Sequence, residues 1–115
     1  MKKSISISTV VTLATLFMMP LETIAKEAMT GKEISFERKL GNCLACHAIA
    51  GGKQTGNIGP PLIAMKARFP DRAVLRAQIW DATIKNPNSI MLPFGRHKII
   101  TESQIDKVTD FIHSL

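Results

Sequence analysis

The sequence predicts a small all-α domain. Two stretches, 71–82 and 101–115, carry apolar residues at helical spacing, and no stretch shows strand-like alternation of useful length. A length of 115 residues suits one compact domain and excludes most multidomain enzymes. The hydrophobic fraction of 45% is ordinary for a globular protein and argues against disorder or a repeat composition. Two cysteines are too few for a disulfide-dense scaffold. The 15 Lys and Arg against 9 Asp and Glu give a net charge of +6, which suggests an acidic partner, a membrane surface or nucleic acid without choosing among them.

Residues 1–25 read as a cleavable signal peptide. Lys2 and Lys3 form a positive start, 5–19 is apolar or small, Pro20 breaks the run, and Ala25 is the expected last residue removed. A membrane anchor is the competing reading. Spanning takes about 20 largely apolar residues, and this run is shorter and interrupted by Ser4, Ser6, Ser8, Thr9, Thr12 and Thr15. Cleavage leaves a mature domain of residues 26–115 with no membrane span. Loss of Lys2, Lys3 and Glu22 lowers the net charge from +6 to +5. A domain of about 90 residues has a modest core, so a covalent or metal staple adds considerably to it. Export also places both cysteines in an oxidising compartment.

The helices follow in order. A short one over 31–40 offers Ile34, Phe36 and Leu40 as apolar contacts, and the Gly-, Asn- and Thr-rich stretch 51–59 is a loop. Asp71 is a good N-cap for 71–82, where Val74, Leu75, Ile79 and Ala82 form a stripe. Asn86-Pro87-Asn88-Ser89 is a turn. Thr101 opens the last helix in a capping box with Gln104, and Ile105, Val108, Phe111, Ile112 and Leu115 line one face.

Both cysteines lie in one motif, Cys43-Leu44-Ala45-Cys46-His47, the C-x-x-C-H pattern of c-type haem attachment. The two thiols add across the two vinyl groups of the porphyrin, so they must stand about one helical turn apart on one face. His47 then lies beneath the ring as proximal iron ligand. Zinc would need about four ligands, and the chain has no second Cys pair or H-x-x-x-H. A thioredoxin-like pair would follow a strand in an α/β pattern, which is missing. A structural disulfide would close a tiny loop and stabilise little.

Candidates for the sixth ligand are Met29, Met65, Met91, His97 and His113. Met91 lies in the Pro/Gly-bounded loop Ser89-Ile90-Met91-Leu92-Pro93-Phe94-Gly95, which suits a thioether swung over a ring. Met65 sits in a short helical stretch and reads as core filler. His113 falls on the polar, solvated side of the last helix. His97 is the rival to Met91, and bis-His ligation would lower the potential. The remaining nitrogen of His47 needs an acceptor. In Gly59-Pro60-Pro61-Leu62 the residue before a proline is held extended, and the Pro60 carbonyl can serve. A plain loop stiffener explains the two prolines equally well.

Gly59-Pro60-Pro61-Leu62 after the haem motif, with a late Met in a Pro loop, resembles the class I cytochromes c. Further on, Arg68-Phe69-Pro70-Asp71, Gln78-Ile79-Trp80-Asp81-Ala82-Thr83, Asn86-Pro87 and Met91-Leu92-Pro93-Phe94-Gly95-Arg96-His97 resemble the SoxX family of small monohaem cytochromes in periplasmic sulfur oxidation. The match runs across nearly all of 26–115. It implies a small class I cytochrome c fold, with helices wrapped around one covalent haem c on Cys43 and Cys46. His47 and Met91 would be the axial ligands. It also implies a heterodimer with a SoxA-like dihaem or monohaem cytochrome subunit. In that family the SoxAX complex joins thiosulfate to a cysteine of a SoxYZ-type carrier. The catalytic cysteine belongs to SoxA, so none is expected here, and electrons pass on to a soluble cytochrome c. One departure is Leu92, where a second proline would be expected after the ligand Met.

Outer-sphere electron transfer in the periplasm is therefore the expected role, with a freestanding electron-shuttle cytochrome as the alternative. A ligand-sensing haem protein would need five-coordinate iron. A nucleic-acid role is disfavoured, because the basic residues are scattered, few aromatics interleave them, and the chain reads as exported.

Overall fold

Three helices begin where a side chain satisfies the free amides of the first turn. The computed structural model describes residues 20–115, so most of the signal reading lies outside the described residues. Among those described, five α-helices and two 3-10 turns follow one another, with no strand. They are α1 (Leu21–Ala28), α2 (Gly31–Phe36), a turn (Cys43–Ala45), α3 (Met65–Arg68), α4 (Arg72–Trp80), a turn (Ala82–Ile84) and α5 (Glu102–His113). The cleavage expected after Ala25 falls within α1. No helix among the described residues is long and apolar enough to cross a membrane.

At α2 the Thr30 hydroxyl accepts from the Glu33 amide at 3.2 Å, and the Glu33 carboxylate accepts from the Thr30 amide at 2.7 Å. This capping box went unread in the sequence. The helix stops at Phe36, short of the expected Leu40, because the chain must turn back toward Cys43. Gly41 N–H donates to the Ile34 carbonyl and Asn42 N–H to that of Glu37. Leu40 still packs against the core from this turn.

Asp71 caps α4 as expected, accepting from the Ala73 amide at 2.8 Å. Leu75, Ile79 and Ala82 are buried, whereas Val74 is 38% exposed and leaves the expected stripe. The turn of 100° between neighbours carries position 74 to the side of α4 away from α5. The expected capping box opens α5: the Thr101 hydroxyl accepts from the Gln104 amide at 3.2 Å and Gln104 Oε1 accepts from Thr101 N–H at 3.0 Å.

α5 is the centre of the packing, with α2 and α4 both against it. Gly31 of α2 lies so close to the Lys107 carbonyl of α5 that no Cβ would fit between them. Phe36 and Phe111 meet edge to face at 6.1 Å beside this contact. Ile34, Leu75, Ile79, Ile105, Val108 and Ile112 form the continuous core, each fully buried side chain contributing about 1.5–3 kcal/mol.

Ion pairs seal the α4–α5 rim. Arg76 donates from Nε to Asp106 at 2.6 Å and Arg72 from Nε to Asp110 at 2.5 Å. The Arg76 guanidinium holds the Asp106 carboxyl below its ordinary value of 3.8. A carboxyl lowered on folding stabilises fully above its ordinary value and loses that contribution as pH falls through the folded-state value. The melting midpoint is therefore expected to drop as pH falls below about 4, and Asp106→Asn to flatten that drop, as followed by circular dichroism.

Candidate haem site

The C-x-x-C-H segment is set by one residue in an unusual conformation. Asn42 has φ 48° and ψ 36°, the left-handed region that Asn enters more readily than most residues. From there Cys46 N–H and His47 N–H both donate to the Cys43 carbonyl, at 3.2 and 2.9 Å. This single turn brings Cys43, Cys46 and His47 to one side, where all three line a cavity of about 670 Å³. Its volume lies within the range of about 300–1,000 Å³ usual for small-molecule and cofactor sites. Cys43 and Cys46 are not bridged to one another. Burial pushes the Cys43 thiol above its ordinary value, so the site favours an uncharged sulfur.

His47 is fixed from behind. Its Nδ1–H donates to the Pro60 carbonyl at 2.7 Å. A carbonyl can only accept, so Nδ1 carries the proton and the lone pair is left on Nε2. The strap that brings Pro60 here is tied by Gly59 N–H to the Cys46 carbonyl at 2.8 Å and by Leu62 N–H to that of Ala48 at 2.9 Å. A Cβ at Gly59 would fall on the imidazole ring, so the close approach requires glycine. The expected contact between Pro60 and His47 is present. The two prolines also stiffen the strap, and both readings apply together.

The candidates for a sixth ligand separate by place. Met91 is half-buried on its loop and lines the cavity. Met65 also lines it but is 1% exposed, and its sulfur accepts from Arg68 Nη1 at 3.3 Å. Met29 packs against the core and is not among the lining residues. His97 is exposed and outside the cavity lining. His113, expected to be solvated, is half-buried with Nε2 at 2.9 Å from the Phe69 carbonyl, because the end of α5 packs beside the α3–α4 connection. Leu92, the departure from the resemblance, is 56% exposed and leaves Pro93 buried behind it.

The sequence reading missed Arg38 and Arg68, which line the cavity alongside an otherwise neutral wall that includes Leu62, Leu75, Ile79 and Phe94. Among the described residues no carboxylate lines it. Arg68 also donates from Nη1 to the Pro61 carbonyl at 2.8 Å, in the strap behind His47. Its spacing of three from Met65 within one helical turn was the only local signal. Among the described residues no cluster of three or more His, Cys, Asp or Glu stands elsewhere as a rival metal site.

This donor set suits a large, mostly apolar macrocycle that bears acidic groups and carries iron. Two sulfurs stand a turn apart, one imidazole nitrogen is free, the thioether residues Met65 and Met91 line the same space, and the charged wall is cationic. The family model for cytochrome c matches residues 28–115. This chain belongs to the cytochrome c family. The cytochrome accordingly carries one covalently bound haem c and adopts the all-α class I fold. It is also similar to an uncharacterized lipoprotein of Aquifex aeolicus (strain VF5), at 32% identity over 78 residues. That match covers 65% of this chain and 37% of the relative, so the cytochrome spans little more than a third of the relative's length.

Proposed function

We propose that this cytochrome is an exported, SoxX-like monohaem subunit. In this reading it accepts electrons from thiosulfate conjugation on a SoxYZ-type carrier, carried out with a SoxA-like partner, and passes them to a soluble cytochrome c. The observation that carries the electron-transfer part is the placement of His47 and Met91 on one cavity, with His97 outside it. Cys43 and Cys46 would hold the haem as thioethers, and His47 Nε2 and the Met91 sulfur would bind its iron. When bound, the haem supplies reversible one-electron oxidation and reduction.

The chain's own residues hold that chemistry to electron transfer. Pro60 keeps the His47 proton on Nδ1 and so directs Nε2 into the cavity. Met91 adds a neutral soft donor that favours the reduced state and a high potential. Leu62, Leu75, Ile79 and Phe94 exclude water from the cavity wall. The exposed Ile58, Ile90 and Leu92 sit at its mouth, giving an apolar contact zone beside Arg38 and Arg68. The sulfur chemistry rests on the SoxX resemblance. The lipoprotein description of the Aquifex aeolicus relative supports the exported reading.

The test is affinity capture of the haem-loaded protein from thiosulfate-grown cells, with carbon monoxide added to the reduced form in parallel. A larger cytochrome retained in near-equal amount, and no carbon monoxide spectrum at neutral pH, are expected. A chain that runs alone at monomer size would be a freestanding shuttle. Ready carbon monoxide binding would indicate an open iron and overturn the electron-transfer assignment.

A further inference from the structure

Among the described residues the buried polar side chains are Ser35, Asp81, Gln104 and Thr109, and only Asp81 carries a charge. Ser35 and Thr109 bond back to carbonyls of their own helices, and Gln104 caps its own while its Nε2 donates to the Lys26 carbonyl at 3.4 Å. Asp81 reaches across to a different segment. A buried carboxylate is costly unless its charge is paired and its oxygens are hydrogen-bonded. Here Oδ1 accepts from the Thr83 amide at 3.0 Å and the Thr83 hydroxyl at 2.5 Å, while Oδ2 faces Arg96 Nε at 3.1 Å. The carboxylate side chain is 3% exposed and its arginine partner 54%.

Arg96 stands five residues beyond Met91 on the same loop. Gly95 N–H and Arg96 N–H both donate to the Trp80 carbonyl, at 3.1 and 3.5 Å. The Gly95 backbone lies against the Trp80 indole with no room for a Cβ. Upstream of Met91 the bonds are local: Met91 N–H to the Ser89 hydroxyl at 3.2 Å and Ser89 N–H to the Asn86 carbonyl at 2.9 Å. The end of α4 is thus the anchor for the downstream half of the loop. α4 itself is part of the cavity wall through Leu75 and Ile79.

We propose that Asp81 is a positioning residue for Met91, holding the loop to the end of α4 through Arg96 so that the thioether stays at the cavity. The proposal rests on Met91 being an axial ligand. A thioether bond to iron exchanges readily, so the fraction of time the loop spends open sets how easily another ligand enters. The ion pair lowers that fraction without touching the iron.

The experiment titrates the oxidised holoprotein with imidazole, following loss of the weak far-red methionine–iron band. It uses the natural chain, Asp81→Asn, Arg96→Gln, Arg96→Lys and, as a control on the α4–α5 rim, Arg72→Gln. Asp81→Asn and Arg96→Gln are expected to bind imidazole roughly fivefold tighter, and Arg96→Lys to recover part of the difference. Arg72→Gln should lower the melting midpoint and leave imidazole binding unchanged. Hydrogen exchange of the 89–97 amides should quicken only in the Asp81 and Arg96 variants. If Asp81→Asn folds poorly, the exposed Arg96 carries the test alone. Equal imidazole affinity in Arg96→Gln and the natural chain overturns the clamp, as does an equal shift in Arg72→Gln. Absence of the far-red band from the natural chain overturns the ligand reading and the clamp with it.

Discussion

Met91→Ala is expected to abolish the far-red absorption of the oxidised protein and to lower its reduction potential by on the order of 0.1 V or more. The reason is local. Of the two methionines that line the cavity among the described residues, Met65 already has its sulfur accepting from Arg68, which leaves Met91. Its removal leaves the iron with His47 and an open side, so the reduced variant should bind carbon monoxide where the natural protein does not. His97→Ala is the matching control. An exposed imidazole outside the lining should leave band and potential unchanged. A spectrum unaltered by Met91→Ala but altered by His97→Ala would reverse the assignment.

The second large effect concerns the cysteines. Replacing Cys43 and Cys46 together by Ser is expected to give a chain with no covalent haem and little fixed tertiary structure. The cavity of about 670 Å³ opens among Leu62, Met65, Leu75, Ile79, Phe94 and Val108, all of them core residues. Without haem, those side chains line an unfilled cavity, in a domain whose core is modest to begin with. Near-ultraviolet circular dichroism should lose its fixed aromatic signals, with Trp80 and the Phe36–Phe111 pair as reporters. A well-ordered spectrum from the double variant would show that helices α2, α4 and α5 are self-sufficient. The haem would then be a guest and not part of the core.

What could be read from the chain follows the range of each interaction. The C-x-x-C-H turn, the Asp71 cap and the Thr101–Gln104 box are closed within a few residues, so their chemistry is written contiguously in the sequence. Pro60 was legible only as one of two level readings, acceptor for His47 or loop stiffener, and the contact at 2.7 Å adds the first without removing the second. The Thr30–Glu33 box is just as local, but it precedes a helix too short for its periodicity to stand out. The end of α2 at Phe36 was not legible, because the chain turns there to meet a cavity that only the tertiary fold creates. Val74 and His113 were misplaced for the same reason: helical spacing gives a face, while the neighbours of that face come from packing. Asp81 and Arg96 pair across a turn and a loop, and nothing in either segment announces the other. The arginines of the cavity wall, Arg38 and Arg68, were given no site role in the sequence, because the wall they join is made by segments far apart in the chain.

One haem is expected to be joined to both Cys43 and Cys46, and the intact mass of the natural protein under denaturing conditions tests that most directly. Each thiol adds across a vinyl group with no atom lost, so the predicted mass is the processed chain plus one haem, unchanged by thiol alkylation. A bare chain that takes up two alkyl groups, or one lighter by two hydrogens from a disulfide, would contradict it.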